Sequence, residues 1–507
     1  MSKPPEGQVR VEDYVKGELS KDTNWWGAFV VGLAGTILVT GVAPAVLGPL
    51  GAAAIPNFIF WALTGWLLCL YLAELAAMLP DRTGGAPAYA YYAFKDRLPR
   101  FSPHLNGVTV WMYWLGWMPV MAVNMILTAA YIPVLFGFTV SGFWANTIKL
   151  FSVDVSYFTL IIGAGLSLLL LLISNRGIKF GTGAATVLGL LSMIPLTMIA
   201  VVPFLTGNVH GANIWPPNLP DGTKFFTPHS FFLFLQFSAL YTWNAIAMEA
   251  AACYIGECKN PDRDAPIAMG LSGGYGVFIY TFLPMAVLGV LGVAFIQGSL
   301  DPNTVLVTTA TRSFHFAGLA NIVTVALIIA LALSSLNASM GCARSLYMMS
   351  LDGQAPRIFG KVNRHNVPNF SMGLNTVLNI LLIFVGAPGA IYVLSNVGYV
   401  GSFVPVLVGY YFLRRWRPEI FRPYRLPEWM KYGALALAAL YFFVWAVGIP
   451  ACAIEGCQPG GGKMFLIGVV VVLLYFPMSM WRQAEDRRHG TTDFKPASSG
   501  RGDDGGS

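Results

Sequence analysis

Charge is scarce in this chain. Of its 507 residues only 11% are Asp, Glu, Lys or Arg, where soluble domains carry about 25%. A water-soluble fold of this length would lack the charge to cover its surface, so the composition points to lipid as the solvent. Cysteine is also sparse, with six in all. Cys69, Cys253 and Cys342 lie in apolar runs and Cys258 ends one. None has metal-ligand spacing, so they read as small apolar packing groups. Cys452 and Cys457 share one short loop, where an oxidising exterior would permit a disulfide. The six histidines, His104, His210, His229, His315, His365 and His489, are scattered. Neither a metal site nor any other cofactor is expected. Residues 1–24 are polar and lack the apolar core of a signal peptide, so retention in the membrane is assigned to the chain's own helices. The net charge of +7 does not require nucleic acid as a partner, because basic residues of membrane proteins gather on the cytoplasmic side.

Long apolar runs are what the sequence has in abundance; 56% of it is hydrophobic. A spanning helix needs about 20 mostly apolar residues. Twelve runs qualify: 26–48, 55–79, 106–137, 155–174, 182–205, 229–255, 267–297, 316–348, 370–386, 390–413, 432–451 and 464–481. They are called spans 1 to 12 below. With the N-terminus inside, 27 Lys and Arg fall on the inner side and 4 on the outer, which predicts a multi-pass cell-membrane protein with both termini cytoplasmic. The expected organisation is a cytoplasmic N-terminal segment (1–25), spans 1–5 (26–205), spans 6–10 (206–413), a cytoplasmic loop with spans 11 and 12 (414–481), and a disordered cytoplasmic tail (482–507) rich in Gly, Ser and charge.

Two spans carry signs of interruption. Span 1 contains GLAGTILVTGVAP (residues 32–44) and span 6 contains YTWNAIAME (residues 241–249). Broken helices inside lipid need a reason, since freed backbone groups find no water there. A pair of them at matching positions of two five-helix halves points to a transporter's substrate site. Amides at a half-helix N-terminus suit a carboxylate, while carbonyls and an acidic side chain suit an amine. Close helix packing is the plainer role for the glycines. Of 24 acidic residues only Glu74 and Glu249 lie clearly within spans. A carboxylate at that depth is costly and marks a functional position by default. Glu249 sits in the disturbed part of span 6. Glu74, near the inner end of span 2, reads as structural or as part of an inner gate.

Four segments carry a family resemblance. YLAEL (71–75) leads to Pro80 and TGGAPAYAY (83–91). GECKNPDRDAPIA (256–268) follows span 6. ARSLY (343–347) and LDGQAP (351–356) close span 8, and FRPYRLP (421–427) separates spans 10 and 11. In this order, and each on the inner side, they resemble the amino acid–polyamine–organocation superfamily of transporters. The resemblance implies an all-α integral membrane fold of twelve transmembrane helices: a five-plus-five inverted repeat with discontinuous helices 1 and 6, and spans 11 and 12 outside the core. It implies secondary transport of an amino acid or derivative, with Thr40 and Gly41 on the carboxylate and Ile37 lining the site. Val39 departs from the glycine usual in that motif. Glu249 falls at the family's acidic position, and Trp243 where some exchangers place an aromatic over the substrate, a placement that also suits a cation–π contact. The expected substrate-binding set is thus Ile37, Thr40, Gly41, Trp243, Asn244, Ile246 and Glu249. A carboxylate-free amine such as a polyamine or ethanolamine is the alternative substrate.

Coupling stays open between proton, sodium and a counter-substrate. Residues 181–205 of span 5 hold no charge, which argues against the buried lysine some relatives use for proton response. Ser334, Ser335, Asn337 and Ser339 of span 8 could offer oxygens to sodium, though such hydroxyls more often bond their own helix. No catalytic constellation supports an enzyme. Gly270-Leu271-Ser272-Gly273-Gly274 fits a serine-hydrolase elbow but lies in an apolar helix, where a packing role is expected.

Overall fold

The computed structural model describes residues 4, 5, 7, 8, 19, 21–85, 89–151, 153–299, 302–314, 316, 318–454 and 460–489. Among the described residues ten helical runs are long and apolar enough to cross a bilayer, and Asn369–Ile383 is a shorter apolar helix. The first run, Trp25–Met78, has 54 residues, about 80 Å as straight α-helix against roughly 30 Å of hydrocarbon. It is a hairpin of spans 1 and 2: Lys21 just before it forms an ion pair with Asp81 just after it. Gly51 turns the chain with φ of 54°, a left-handed value suited to a residue without Cβ. Twelve crossings require Asn369–Ile383, of 15 residues, to cross as well.

The ends of the described chain share one face. Lys21 meets Asp81, its neighbour Arg82 meets Asp352, and Arg482 donates to the carbonyls of Ser350 at 2.7 Å and Ala355 at 2.9 Å. The last contact overturns part of one expectation. The sequence reads as a disordered tail from Arg482, yet the helix Tyr475–Arg488 runs on. It does so because Arg482 reaches back to the loop after span 8 and Asp486 accepts from Arg357 at 2.7 Å. Residues 490–507 lie outside the described residues, as does Cys457; Cys452 is disulfide-bonded.

Several spans are broken, and each break that positions the site has a cause. Span 1 is Trp25–Thr36 and Val39–Leu50, joined by a tight turn at residues 37–38. Span 6 is an α-helix over Pro228–Ile246 that becomes a 3-10 helix over Ala247–Glu257. Span 3 breaks at Met118 and Pro119, between Ser102–Trp117 and Val120–Phe136. There Asn379 of span 9 replaces the missing helical bond: its Nδ2 donates to the Met118 carbonyl at 2.7 Å, and its Oδ1 accepts from Ala122 N at 2.7 Å. A proline break thereby leaves neither group unpaired in lipid.

Span 1 lies against the 3-10 part of span 6 at backbone distance. A Cβ on Gly35 would sit 1.8 Å from the Ala247 carbonyl oxygen, and one on Gly32 would sit 2.7 Å from Ala251 Cβ. Gly65 of span 2 approaches the Ala245 carbonyl in the same way, at 2.3 Å. These glycines therefore serve close packing. So does the elbow-like segment: Ser272 Oγ donates to the Met248 carbonyl at 2.6 Å, and a Cβ on Gly273 would strike Trp66.

Candidate functional site

The interruption in span 1 is tighter than an unwound loop. Thr40 N and Gly41 N donate to the carbonyls of Ile37 and Leu38, each at 3.1 Å, and Thr40 Oγ1 adds a bond to the Ile37 carbonyl at 3.1 Å. The donors expected to meet a carboxylate are thus spent within the turn in this conformation. Beside them is a small cavity lined by Leu38, Thr40, Gly41, Tyr131, Leu331 and Tyr392. Its volume is about 10 Å³, room for roughly one water. Gly41 differs from Gly32 and Gly35 in that a Cβ on it would meet nothing within 4 Å.

Span 6 contributes no residue to the lining and meets the cavity through Tyr392 of span 10. The Trp243 ring lies 4.8 Å from Tyr392, centroid to centroid, and its Nε1 donates to Ser395 Oγ at 2.7 Å. Glu249 lies beyond it in an aromatic cage. Its Oε1 accepts from Tyr399 OH at 2.6 Å, Tyr113 OH at 2.9 Å and Trp117 Nε1 at 3.2 Å. Its Oε2 has no hydrogen-bond partner among the described residues. The side chain is fully buried, so one oxygen is over-provided with donors and the other has none.

The structure divides the expected set. Thr40 and Gly41 share the cavity; Trp243 reaches it through Tyr392; Glu249 stands behind, joined to Trp243 through Trp117 and Tyr399 at ring distances of 6.5 and 6.1 Å. Ile37 contributes its carbonyl to the turn. Asn244 faces elsewhere: its Oδ1 and carbonyl accept from Tyr280 OH at 2.6 and 2.7 Å, and Tyr280 OH also lies 3.4 Å from the Gly35 carbonyl. Ile246 is fully buried in the core. Sequence reasoning missed Tyr113, Trp117, Tyr392, Ser395 and Tyr399. Their signal is spacing: 113 and 117 on span 3, and 392, 395 and 399 on span 10, each fall on one helical face. Of the span 8 oxygens, Ser335 Oγ donates to the Leu331 carbonyl at 2.9 Å and Asn337 Oδ1 accepts from Tyr254 at 2.7 Å. Ser334 and Ser339 hydroxyls have no partner among the described residues. No group of His, Cys, Asp and Glu able to hold a metal occurs among the described residues.

On the face that bears both ends lie buried ion pairs. Arg344 grips Glu257 with two nitrogens, one of them at 3.0 Å, and both residues are buried. Glu74 is likewise buried; it lies 3.1 Å from Arg414 and 3.3 Å from Arg422, and accepts from Tyr410 OH at 2.8 Å and Leu426 N at 2.9 Å. Gly84 N donates to the Cys253 carbonyl at 3.1 Å, and Ser345 Oγ donates to the Gly84 carbonyl at 3.1 Å. The four motif segments thus interlock: the first with the fourth through Glu74, the first with the third through Arg82 and Gly84, the second with the third through Glu257.

The comparisons agree with this architecture. A family model described as amino acid permease matches residues 24–475. An uncharacterized transporter of Legionella pneumophila is 24% identical over 470 residues, covering 84% of this chain and 90% of its own length. An uncharacterized amino acid permease of Bacillus subtilis is 23% identical, covering 76% of this chain and 82% of its own. The methylthioribose transporter of Bacillus subtilis is 24% identical, with 83% and 87% covered. The matched region runs from the first helix to the twelfth span and takes in every residue of the cavity and its cage; the chain is a multi-pass membrane transporter and belongs to the amino acid permease family.

Proposed function

We propose that this permease carries an amino acid or close derivative across a cell membrane by alternating access, with both termini in the cytoplasm. The observation that carries the reading is the pairing of two altered helices. The turn at residues 37–38 places Leu38 in the cavity that Tyr392 lines, Trp243 packs on Tyr392, and Gly35 just before the turn lies against the Ala247 carbonyl where span 6 changes from α to 3-10. Opening the turn would release the Thr40 and Gly41 amides toward a carboxylate. Trp243 would cover the bound solute, and Oε2 of Glu249 is the unpaired acceptor for a substrate amine or a coupling proton. The excess of Lys and Arg on the termini-bearing side, 27 against 4, supports the orientation.

The test is uptake into vesicles containing only the purified chain, screened with radiolabelled amino acids and amines. For whichever solute is transported, Thr40→Ala and Trp243→Ala should each lower uptake efficiency about tenfold, roughly 1.4 kcal/mol, with the melting temperature retained. Unchanged kinetics in both variants would remove the site assignment. Imposed proton and sodium gradients, applied singly, identify the coupling; stimulation by internal unlabelled solute alone identifies exchange.

A second reading has its own support. The Thr40 and Gly41 donors are satisfied internally, and one relative is named for methylthioribose, a sugar thioether without carboxylate. A carboxylate-free amine or neutral solute would rely on Glu249 and the aromatic side chains instead. An amine that competes as well as its parent amino acid favours this reading.

A further inference from the structure

The lining of the cavity beside Thr40 stops one turn short of a polar pair. On span 3, Tyr131 and Leu127 line the cavity, and Asn124, three residues before Leu127, continues their stripe on the same helix face. On span 8, Leu327 and Leu331 line it, and Ser335, four residues after Leu331, continues that stripe in the same way. The two stripes meet at this third rung: Asn124 Nδ2 donates to Ser335 Oγ at 3.2 Å, and both residues are fully buried. Along span 3, Asn124 lies between the cavity and Trp117 of the Glu249 cage.

The orientation of the amide follows from its partner. Ser335 Oγ gives its own proton to the Leu331 carbonyl at 2.9 Å. It therefore accepts from Asn124, which turns Nδ2 toward it and leaves Oδ1 on the other arm. That oxygen has no partner among the described residues. Neither has the hydroxyl of Thr128, one turn away on span 3, nor that of Ser334, next to Ser335. Buried polar atoms without a partner are few in folded proteins and call for a cause. A charged side chain is unsuited to this place: no residue lining the cavity is charged, and an ion buried without a counter-charge is strongly disfavoured. A wholly apolar side chain would leave Oδ1 unpaired. An amide or hydroxyl both gives and accepts hydrogen bonds, which suits an acceptor oxygen flanked by two hydroxyls. We propose that Asn124 selects the substrate, its Oδ1 accepting a hydrogen bond from the side-chain amide or hydroxyl of a neutral amino acid. The assignment rests on the amino acid carrier reading, since the turn at residues 37–38 must open to seat the carboxylate.

The test is uptake into vesicles containing only the purified full-length chain, with radiolabelled solutes paired by shape: threonine with valine, asparagine with leucine, glutamine with methionine. Wild type should take the hydrogen-bonding member of at least one pair about tenfold better. Asn124→Leu removes the acceptor while Ser335 keeps its bond to Leu331, and it should abolish that preference. If this variant does not fold, thermal stabilisation of the wild type by the same six solutes makes the comparison. Equal uptake within every pair, uptake confined to charged solutes, or a preference that survives in Asn124→Leu overturns the assignment and leaves amino acid transport standing. Uptake of no amino acid at all removes the carrier reading and the assignment with it. A sodium-dependent rise in melting temperature that Asn124→Leu abolishes would give Oδ1 to a cation, and also overturns the proposal.

Discussion

Glu249 is the buried carboxyl at the centre of the aromatic cage. Three donors converge on Oε1 and none on Oε2, so its charge and its hydrogen bonding make separable contributions. Glu249→Gln keeps an acceptor for Tyr113, Trp117 and Tyr399 and removes only the ionisable group. It should leave the melting temperature near that of the wild type while lowering transport about a hundredfold if that carboxyl carries the proton or the amine. Glu249→Leu strips all three donors of their partner, at about 1–3 kcal/mol each, and should melt well below Glu249→Gln in the same detergent. A Gln variant as unstable as the Leu variant would assign the residue to structure alone. At this scale the sequence revealed an isolated acid in a disturbed helix, because carboxylates are rare in lipid. It did not reveal the cage, whose rings come from spans 3 and 10 and read singly as ordinary aromatic residues of apolar helices. Nor could it tell Gly32 and Gly35, which pack, from Gly41, which faces free space.

At the scale of elements, interruptions were easier to locate than to describe. Gly, Thr and Pro near residues 35–44 signal the break in span 1. In span 6 the polar residues of YTWNAIAME (241–249) mark a disturbance but not its form, since AMEAAAC (residues 247–253) is made largely of good α-formers. Tertiary donors override that preference. The Met248 carbonyl is taken by Ser272 and the Cys253 carbonyl by Gly84 N, and Tyr280 takes that of Asn244 just before the change. Carbonyls engaged from outside are poor acceptors for the i+4 amide. The break in span 3 shows the same dependence on a distant partner. Asn379→Leu would leave the Met118 carbonyl and Ala122 N–H unpaired, costing about 1–3 kcal/mol for each group. Asn379→Asp keeps the acceptor for Ala122 and loses the donor to Met118. Thermal unfolding should rank wild type above the Asp variant and the Asp variant above Leu; equal melting of all three would show that the helix ladder closes without Asn379.

For the whole molecule, the motifs that marked the family in the sequence are the parts that lock one face. Their order was legible; their pairing was not, because Glu257 and Arg344 are 87 positions apart and Glu74 and Leu426 are 352 apart. Removing one partner of a buried pair costs about 3–5 kcal/mol, whereas removing both costs less than the sum. Glu257→Ala and Arg344→Ala should each destabilise the protein by that amount, and the double variant should recover part of the loss in a double-mutant cycle. If the pair also holds that face shut, buried Cys253, whose carbonyl is bound by Gly84, should react faster with a membrane-impermeant maleimide in either single variant. Additive losses with no change in thiol reactivity would show that the pair neither couples nor holds that face shut.

The 3-10 geometry of Ala247–Glu257 also fixes a length. Eleven residues rise about 22 Å at 2.0 Å each in a 3-10 helix and about 16.5 Å at 1.5 Å each in an α-helix. The segment is drawn out by about 5.5 Å, one α-helical pitch, between the aromatic side chains at its start and the Arg344 anchor at its end. A helix stretched in this way behaves as an extended spring: re-coiling to α would shorten and widen it, and the wider helix would press on Gly32 and Gly35, which meet Ala251 and Ala247 at backbone distance.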